Sequence, residues 1–195
     1  MVHPSLPVKS VAELVRYAKA HPGELTYAAS APGGGQHLGW ELFKRSTGTD
    51  LLYIPYKGTG ALMPDLLAGR LHAAIDNVAV LTQYIKNGAL RGIAVTGAKR
   101  SALLPDLPTM IEAGVPGFQV IGWFGVFAPA KTPSQIVKQL NEAVVETLKQ
   151  RAVIDRFVEL GAEPSSGSQE ELRKLLASEI DVWGKVIRDA GIKLD

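Results

Sequence analysis

Residues 25–45 read LTYAASAPGGGQHLGWELFKR: a short apolar run, a glycine triplet, then an amphipathic pattern. Leu25 to Ala29 has the length and composition of a buried strand, and His37 to Arg45 the spacing of a helix. Strand, glycine loop and helix start in that order serve nucleotide phosphates, substrate carboxylates or a bare tight turn equally well. The start of a helix leaves backbone N–H groups without intrahelical acceptors, and the dipole adds partial positive charge there. Glycines let a ligand approach that backbone closely. An anion held this way gains roughly 0.5–2 kcal/mol from the dipole alone. On outline alone the ligand-free turn and the anion site stand level.

Outward from this stretch the same alternation repeats. Upstream, Ser10 and Glu13 have the spacing of a capping box ahead of a helix that Pro22 and Gly23 should stop. Downstream, "LLYIPY" reads as a strand and "GTGALMPDLLAG" as a loop and short helix, in which Pro64 is tolerable only in the first turn. "LHAAIDN" is a further strand, "VAVLTQYIKNG" a helix closed by Gly88, and "LRGIAVTG" a strand. "LPDLPTMIEAG" leads into a short helix with Thr109 and Glu112 as a second box, and "FQVIGWFGVFAPA" is the last extended run. From Leu25 to Phe127 the pattern is therefore α/β, a mostly parallel sheet flanked by helices on both faces. Its short, apolar strands suit a sheet covered on both sides.

After Pro129 the character changes. Thr132 is placed to cap a helix with Pro133 at its first position and Gln135 completing a box, and Ile136, Val137, Leu140, Val144 and Leu148 share a stripe. "RAVIDRFVELG" is another helix. Ser168 and Glu171 open a long one whose Leu172, Leu175, Leu176, Ile180, Trp183 and Ile187 lie on one face, and Gly191 ends it. The expected organisation is an α/β lobe over 1–128 followed by a helical segment over 129–195.

Composition narrows the function. The chain has 195 residues, 46% hydrophobic and 21% charged, with a formal net charge of +2 spread without a basic stripe, which argues against a nucleic-acid partner. No apolar run is long enough to cross a bilayer as a helix, and "MVHPSLPVKS" lacks the basic start and apolar core of a signal peptide. With no Cys, disulfides, thiolate metal sites and Cys nucleophiles are excluded. Four isolated His form no ligand-spaced cluster, so neither a metal nor any cofactor is expected.

The glycine loop fails both nucleotide fingerprints. Leu38 stands where the dinucleotide motif needs its third glycine, and no Gly-Lys-Ser/Thr follows. Ser30, His37 and Asp76 could make a triad, but Ser30 is not on a nucleophile elbow, so an enzyme is disfavoured. Two further constellations sit at strand ends. Tyr56, Lys57, Gly58 and Gly60 precede a helix, as do Asp76 and Asn77. Strand ends of an open parallel sheet share an edge where ligands bind, which strengthens the anion-site reading. Asn77 is most simply an N-cap, whereas Asp76 could be a cap, hold a ligand amine or orient Lys57.

Six blocks in register, "HPSLPVKSVAELVRYAKAHPGELTYA", "GGGQHLGWELFK", "IPYKGTGALMPDLLAGRLHAAIDN", "GALRGIAVTGAKRSALLPDLPTMIEAGVPGF", "WFGVFAPAKTP" and "AGIKLD", resemble the Bug-type (TctC-like) solute-binding receptors of tripartite tricarboxylate transporters. The resemblance runs from Val2 to Asp195. It implies a lobe of a type II periplasmic binding protein that captures a small carboxylic acid, dicarboxylate or amino acid and delivers it to membrane permease subunits. It implies, too, a periplasmic location and no catalysis. The family's ligand loops fall on Ser30, Gly33, Gly34, Gly35, Gln36 and His37 and on Tyr56, Lys57 and Gly58, with Asp76 and Trp123 at the cleft wall. His37 matches the family, but its place just inside a helix start favours local packing and hydrogen bonding over ligand contact.

Two departures from the family stand out. Gly34 and Gln36 replace hydroxyl residues, leaving backbone N–H groups and the Gln36 amide as donors. Family members also carry a signal peptide and most of a first lobe ahead of the part that matches here. The expectation is a truncated receptor whose 129–195 segment would pack on that first lobe, or, lacking it, form a homo-oligomer through the C-terminal helices. The rivals are a phosphate- or nucleotide-binding α/β enzyme domain and a binding-dead scaffold acting by protein contacts.

Overall fold

The computed structural model describes residues 1–193; Leu194 and Asp195, the end of the expected helical segment, lie outside the described residues. Three parallel strands in the order β2-β1-β3 make the sheet: β1 (Thr26–Ala29), β2 (Leu52–Pro55) and β3 (Ala73–Ala74). β1 pairs with β2 through Thr26–Leu52 to Ala29–Pro55, and with β3 through Tyr27–Ala73 and Ala28–Ala74.

Alternate residues of the strands point to opposite faces, and each face has its own core. Tyr27 and Ala73 join Val11, Leu14 and Ala18 of α1 (Val11–Ala20) and Trp40 and Phe43 of α2 (Gly35–Thr47). Ala28 and Ala74 join Leu62, Met63 and Leu66 of α3 (Thr59–Leu67) and Leu81 of α4 (Val78–Lys86). This is the two-faced parallel sheet that the short apolar strands imply. On the first face His37, Tyr53, Tyr27 and Trp40 stack, with Phe43 and Phe118 meeting edge-on beyond them.

Helix ends follow local chemistry. The Ser10 hydroxyl accepts from Glu13 N–H at 3.2 Å to open α1, and the Asn77 side chain accepts from Ala79 N–H at 2.8 Å to open α4. α2 starts two residues before the expected position, because Gly34 and Gly35 already take the capping and first helical places.

Several expectations are corrected. Pro64 is the sixth residue of α3, well inside it, where the helix loses a hydrogen bond to Gly60. Buried Leu62, Met63 and Leu66 hold this short helix in spite of that. "LRGIAVTG" is not a strand: it meets Val2 in a single antiparallel bridge at Arg91 and Thr109 in a single parallel bridge at Val95. Each neighbour runs alongside for only one residue, too little for a ladder. "FQVIGWFGVFAPA" forms no strand either among the described residues. The Thr109–Glu112 box closes in both directions, at 2.7 and 3.1 Å, yet caps a single turn ended by Gly114.

The chain divides into two compact units, Met1–Ile121 with the residues from Lys185 on, and Gly122–Gly184. In the second, α5 (Ser134–Leu148) and α6 (Arg151–Glu159) contain no buried residue, and most of α7 (Gln169–Asp189) follows. Thr132 does not cap α5; Pro133 takes the N-cap with ψ at 138°, outside the helical range, and no side chain caps the helix. Ser168 and Glu171 close the box that opens α7. The last turns of α7 belong to the first unit, where Val186 is buried and Asp189 pairs with Arg45 at the end of α2.

Candidate functional site

Because β1, β2 and β3 are parallel and adjacent, the loops after them leave from one edge of the sheet. These are Ser30–Gly34, Tyr56–Gly58 and Ile75–Asn77, and each runs into a helix. Hydrogen bonds join the loops. Tyr56 N–H donates to Ala29 carbonyl at 3.0 Å and Gly58 N–H to Ser30 carbonyl at 3.3 Å. The Thr59 hydroxyl donates to Asp76 Oδ2 at 2.6 Å, tying the start of α3 to the loop after β3. All three constellations singled out in the sequence therefore meet on one rim, with Trp123 in the second unit instead.

The rim presents unused donors. Among the described residues no acceptor reaches the backbone N–H of Gly35, Gln36 or His37 at the start of α2, nor that of Thr59 or Gly60 at the start of α3. The backbone beside these amides is uncrowded: a Cβ placed on Gly35, Gly58 or Gly60 would meet nothing within 4 Å. Lys57 is exposed beside them and, among the described residues, makes no ion pair. Two helix starts and one ammonium thus bring positive potential to the same edge, set against the single carboxylate of Asp76 in the third loop.

Other candidate groups have different work. The Gln36 Oε1 turns back to accept from Ser30 N–H at 2.7 Å, so Gln36 offers its own backbone N–H rather than a fixed side-chain donor. His37 is buried, 6% exposed, with Nδ1 accepting from Gly33 N–H at 3.0 Å and its ring stacked 4.0 Å from Tyr53. Burial pushes its pKa down, a nearby Glu41 carboxylate opposes that and Lys44 adds to it. Gly34 N–H donates to Ala31 carbonyl at 3.2 Å, so its amide is also used within the loop. The Tyr56 hydroxyl donates to Asp65 Oδ2 at 2.6 Å, which raises the phenol and lowers the carboxyl, and so points away from ligand duty. Asp76 accepts from Thr59 and from Asn77 N–H at 2.7 Å and does not meet Lys57 in an ion pair among the described residues.

Sequence reasoning missed Thr59, and it placed Gly60 in the second constellation without making it a ligand contact. The only signal for Thr59 was a hydroxyl directly after a strand-end glycine, and its partner Asp76 lies seventeen residues away. Nor does the triad assemble: among the described residues Ser30, His37 and Asp76 share no hydrogen bond, since Gly33 and Thr59 are their partners instead.

The family model described as "Tripartite tricarboxylate transporter family receptor" matches residues 1–192. Protein BugT of Bordetella pertussis is 38% identical over 194 residues, 100% of this chain and 60% of that protein. Among solved structures, R. palustris Rpa4515 with adipate is 44% identical with a TM-score of 0.85, covering 98% of this chain and 64% of that one. MatC (Rpa3494) from Rhodopseudomonas palustris with bound malate is 31% identical with a TM-score of 0.77, covering 95% and 64%. The chain thus spans about three fifths of the length of these relatives, 60% of BugT and 64% of each of the two solved chains.

Proposed function

This chain belongs to the receptor family of the tripartite tricarboxylate transporters, and from that premise we propose that its three-loop rim captures a small carboxylate outside the cytoplasm. The observation that carries the reading is the convergence of unpaired amides at Gly35–His37 and Thr59–Gly60 with Lys57 on one sheet edge. One carboxylate can take an N–H at each helix start and a charge-assisted bond from Lys57. Ser30, Gly33 and Gly34 then shape the loop, and Tyr56, Gly58 and Asp76 fix the second and third loops against it. Two related proteins, one solved with adipate and one with bound malate, make aliphatic di-acids the first ligands to try.

Within a transporter, the loaded receptor would hand its ligand to the membrane permease subunits from the periplasm. The division of labour is a ligand-binding lobe over 1–128 and a helical segment over 129–195, whose last turns stay with the lobe while the rest packs against further receptor structure or a second copy. No catalytic step is needed for this role.

Three loops contact a ligand from one side, so this chain alone should bind in the millimolar range, on the order of −4 kcal/mol. Thermal shift against mono-, di- and tricarboxylates, amino acids and nucleotides tests the assignment. Stabilisation by di-acids at ~10 mM, with no response to nucleotides, is the expected outcome. A response to nucleotides alone would transfer the rim to phosphate binding, and none at all would leave the scaffold role.

A further inference from the structure

The loop between β1 and α2 is shaped by the helix that follows it. Two of its amides are taken by side chains from the first turn of α2: Ser30 N–H by Gln36 Oε1 at 2.7 Å, and Gly33 N–H by His37 Nδ1 at 3.0 Å. These acceptors differ chemically. An amide oxygen accepts at any pH, whereas an imidazole nitrogen accepts only while it carries no proton. That bond requires an unprotonated Nδ1, which assigns the ring as neutral with its proton on Nε2. Gly33 sits at φ +70°, so the loop's left-handed residue is the one that this ring holds.

The surroundings favour the neutral ring without locking it. From β2, Tyr53 stacks on it at 4.0 Å; from β1, Tyr27 stacks at 6.3 Å. From α2 itself, Glu41 Oε1 stands 3.9 Å from Nε2. That same oxygen accepts from the Tyr27 hydroxyl at 2.6 Å and from Lys44 at 2.9 Å, so Lys44 offsets much of its charge. Burial acts in the same direction and keeps His37 below its ordinary value near 6.5.

We infer that His37 is a positioning residue of the anion loop: as a neutral acceptor it holds Gly33 and leaves the Gly35–His37 amides uncovered, and on protonation it releases the loop and ends carboxylate capture. A protonated ring would set one N–H against another across the 3.0 Å contact, which expels Gly33 from its place. The inference rests on the carboxylate reading of the rim. It adds that acid unloads the site through a group that never touches the ligand.

Two measurements on the full chain test it. Nitrogen NMR from pH 7.5 to 5 follows the His37 ring and the Gly33 amide. Calorimetric titration with adipate across the same range, on the parent and on His37→Gln, follows capture. An unprotonated Nδ1 at pH 7.5, a Gly33 amide that shifts with the midpoint of the ring, and parent affinity falling about tenfold per pH unit below that midpoint support the switch. His37→Gln, whose amide oxygen can accept from Gly33 at any pH, should lose this steepness. Protonation of adipate acts on both proteins alike, so the difference between them reads His37.

A protonated Nδ1 at pH 7.5, a ring that stays neutral until the fold is lost, a Gly33 amide indifferent to the ring, or parallel losses in both proteins would overturn it. If His37→Gln does not fold, the titration of Gly33 with the parent ring still decides. Absence of adipate binding at every pH would remove the carboxylate reading and the capture step with it, and would leave the Gly33–His37 titration as the test of loop release alone.

Discussion

Gly33 and His37 illustrate how few atoms define the rim. One glycine in the left-handed region and one buried imidazole set the path of the loop, while the amides that remain free belong to the next residues along. His37 also has a consequence for stability. Its pKa is held below the ordinary value near 6.5 in the folded chain, so between the two values the unfolded chain binds more protons. Stability is therefore undiminished above pH 6.5 and falls as the pH drops below it, levelling once the folded ring also titrates. His72 is lowered as well, by burial first and then by His3, and contributes in the same direction. Urea unfolding at pH 7.5 and 5.5 should show a lower midpoint at 5.5, with a smaller drop in His37→Gln; equal midpoints would count against a depressed His37.

The positions of the strand-end residues were legible, because glycine, lysine and acidic groups at the ends of parallel strands must share an edge. The orientation of Gln36 and His37 was only half legible. A polar side chain in the first turn of a helix can serve a ligand or its own preceding loop, and the same letters describe both. Only the distances to Ser30 and Gly33 separate the two.

Among the elements, β1 and α2 were readable from periodicity because their apolar positions are numerous and bounded by glycines. The runs at 90–97 and 118–130 were equally apolar but did not become strands. A strand needs a partner that stays alongside, and Val2 and Thr109 provide one residue each. α3 shows the reverse: Pro64 argues against a helix locally, and three buried side chains override it. Replacing Pro64 with Ala would restore the missing donor to the Gly60 carbonyl. Interior proline costs about 3 kcal/mol, offset in part by up to about 1 kcal/mol from the stiffer unfolded chain. Pro64→Ala should accordingly raise stability by roughly 2–3 kcal/mol in chemical denaturation. A loss of stability would mean that the ring of Pro64 packs in a way the helix depends on.

At the scale of the whole molecule, the first unit buries its apolar side chains on both faces of the sheet, whereas α5 and α6 bury none. Ile136 and Leu140 on α5 and Ile180 and Val182 on α7 stay exposed. Covering such side chains yields roughly 1.5–3 kcal/mol each, so several together favour association. Light scattering at low micromolar concentration is expected to give a dimer or larger species. Substituting Leu140 and Ile180 with Glu should return it to monomer, and a parent protein that is already monomeric contradicts association through these helices.

In the proposed function, free backbone amides on one edge of the sheet hold a carboxylate. Amide NMR with adipate added to the parent chain at pH 7.5 addresses it residue by residue. Shifts concentrated on Gly35, Gln36, Lys57 and Gly60, saturating at millimolar ligand, are the predicted result. An unchanged spectrum, or shifts centred on His3 and His72 at the opposite ends of the strands, would contradict it.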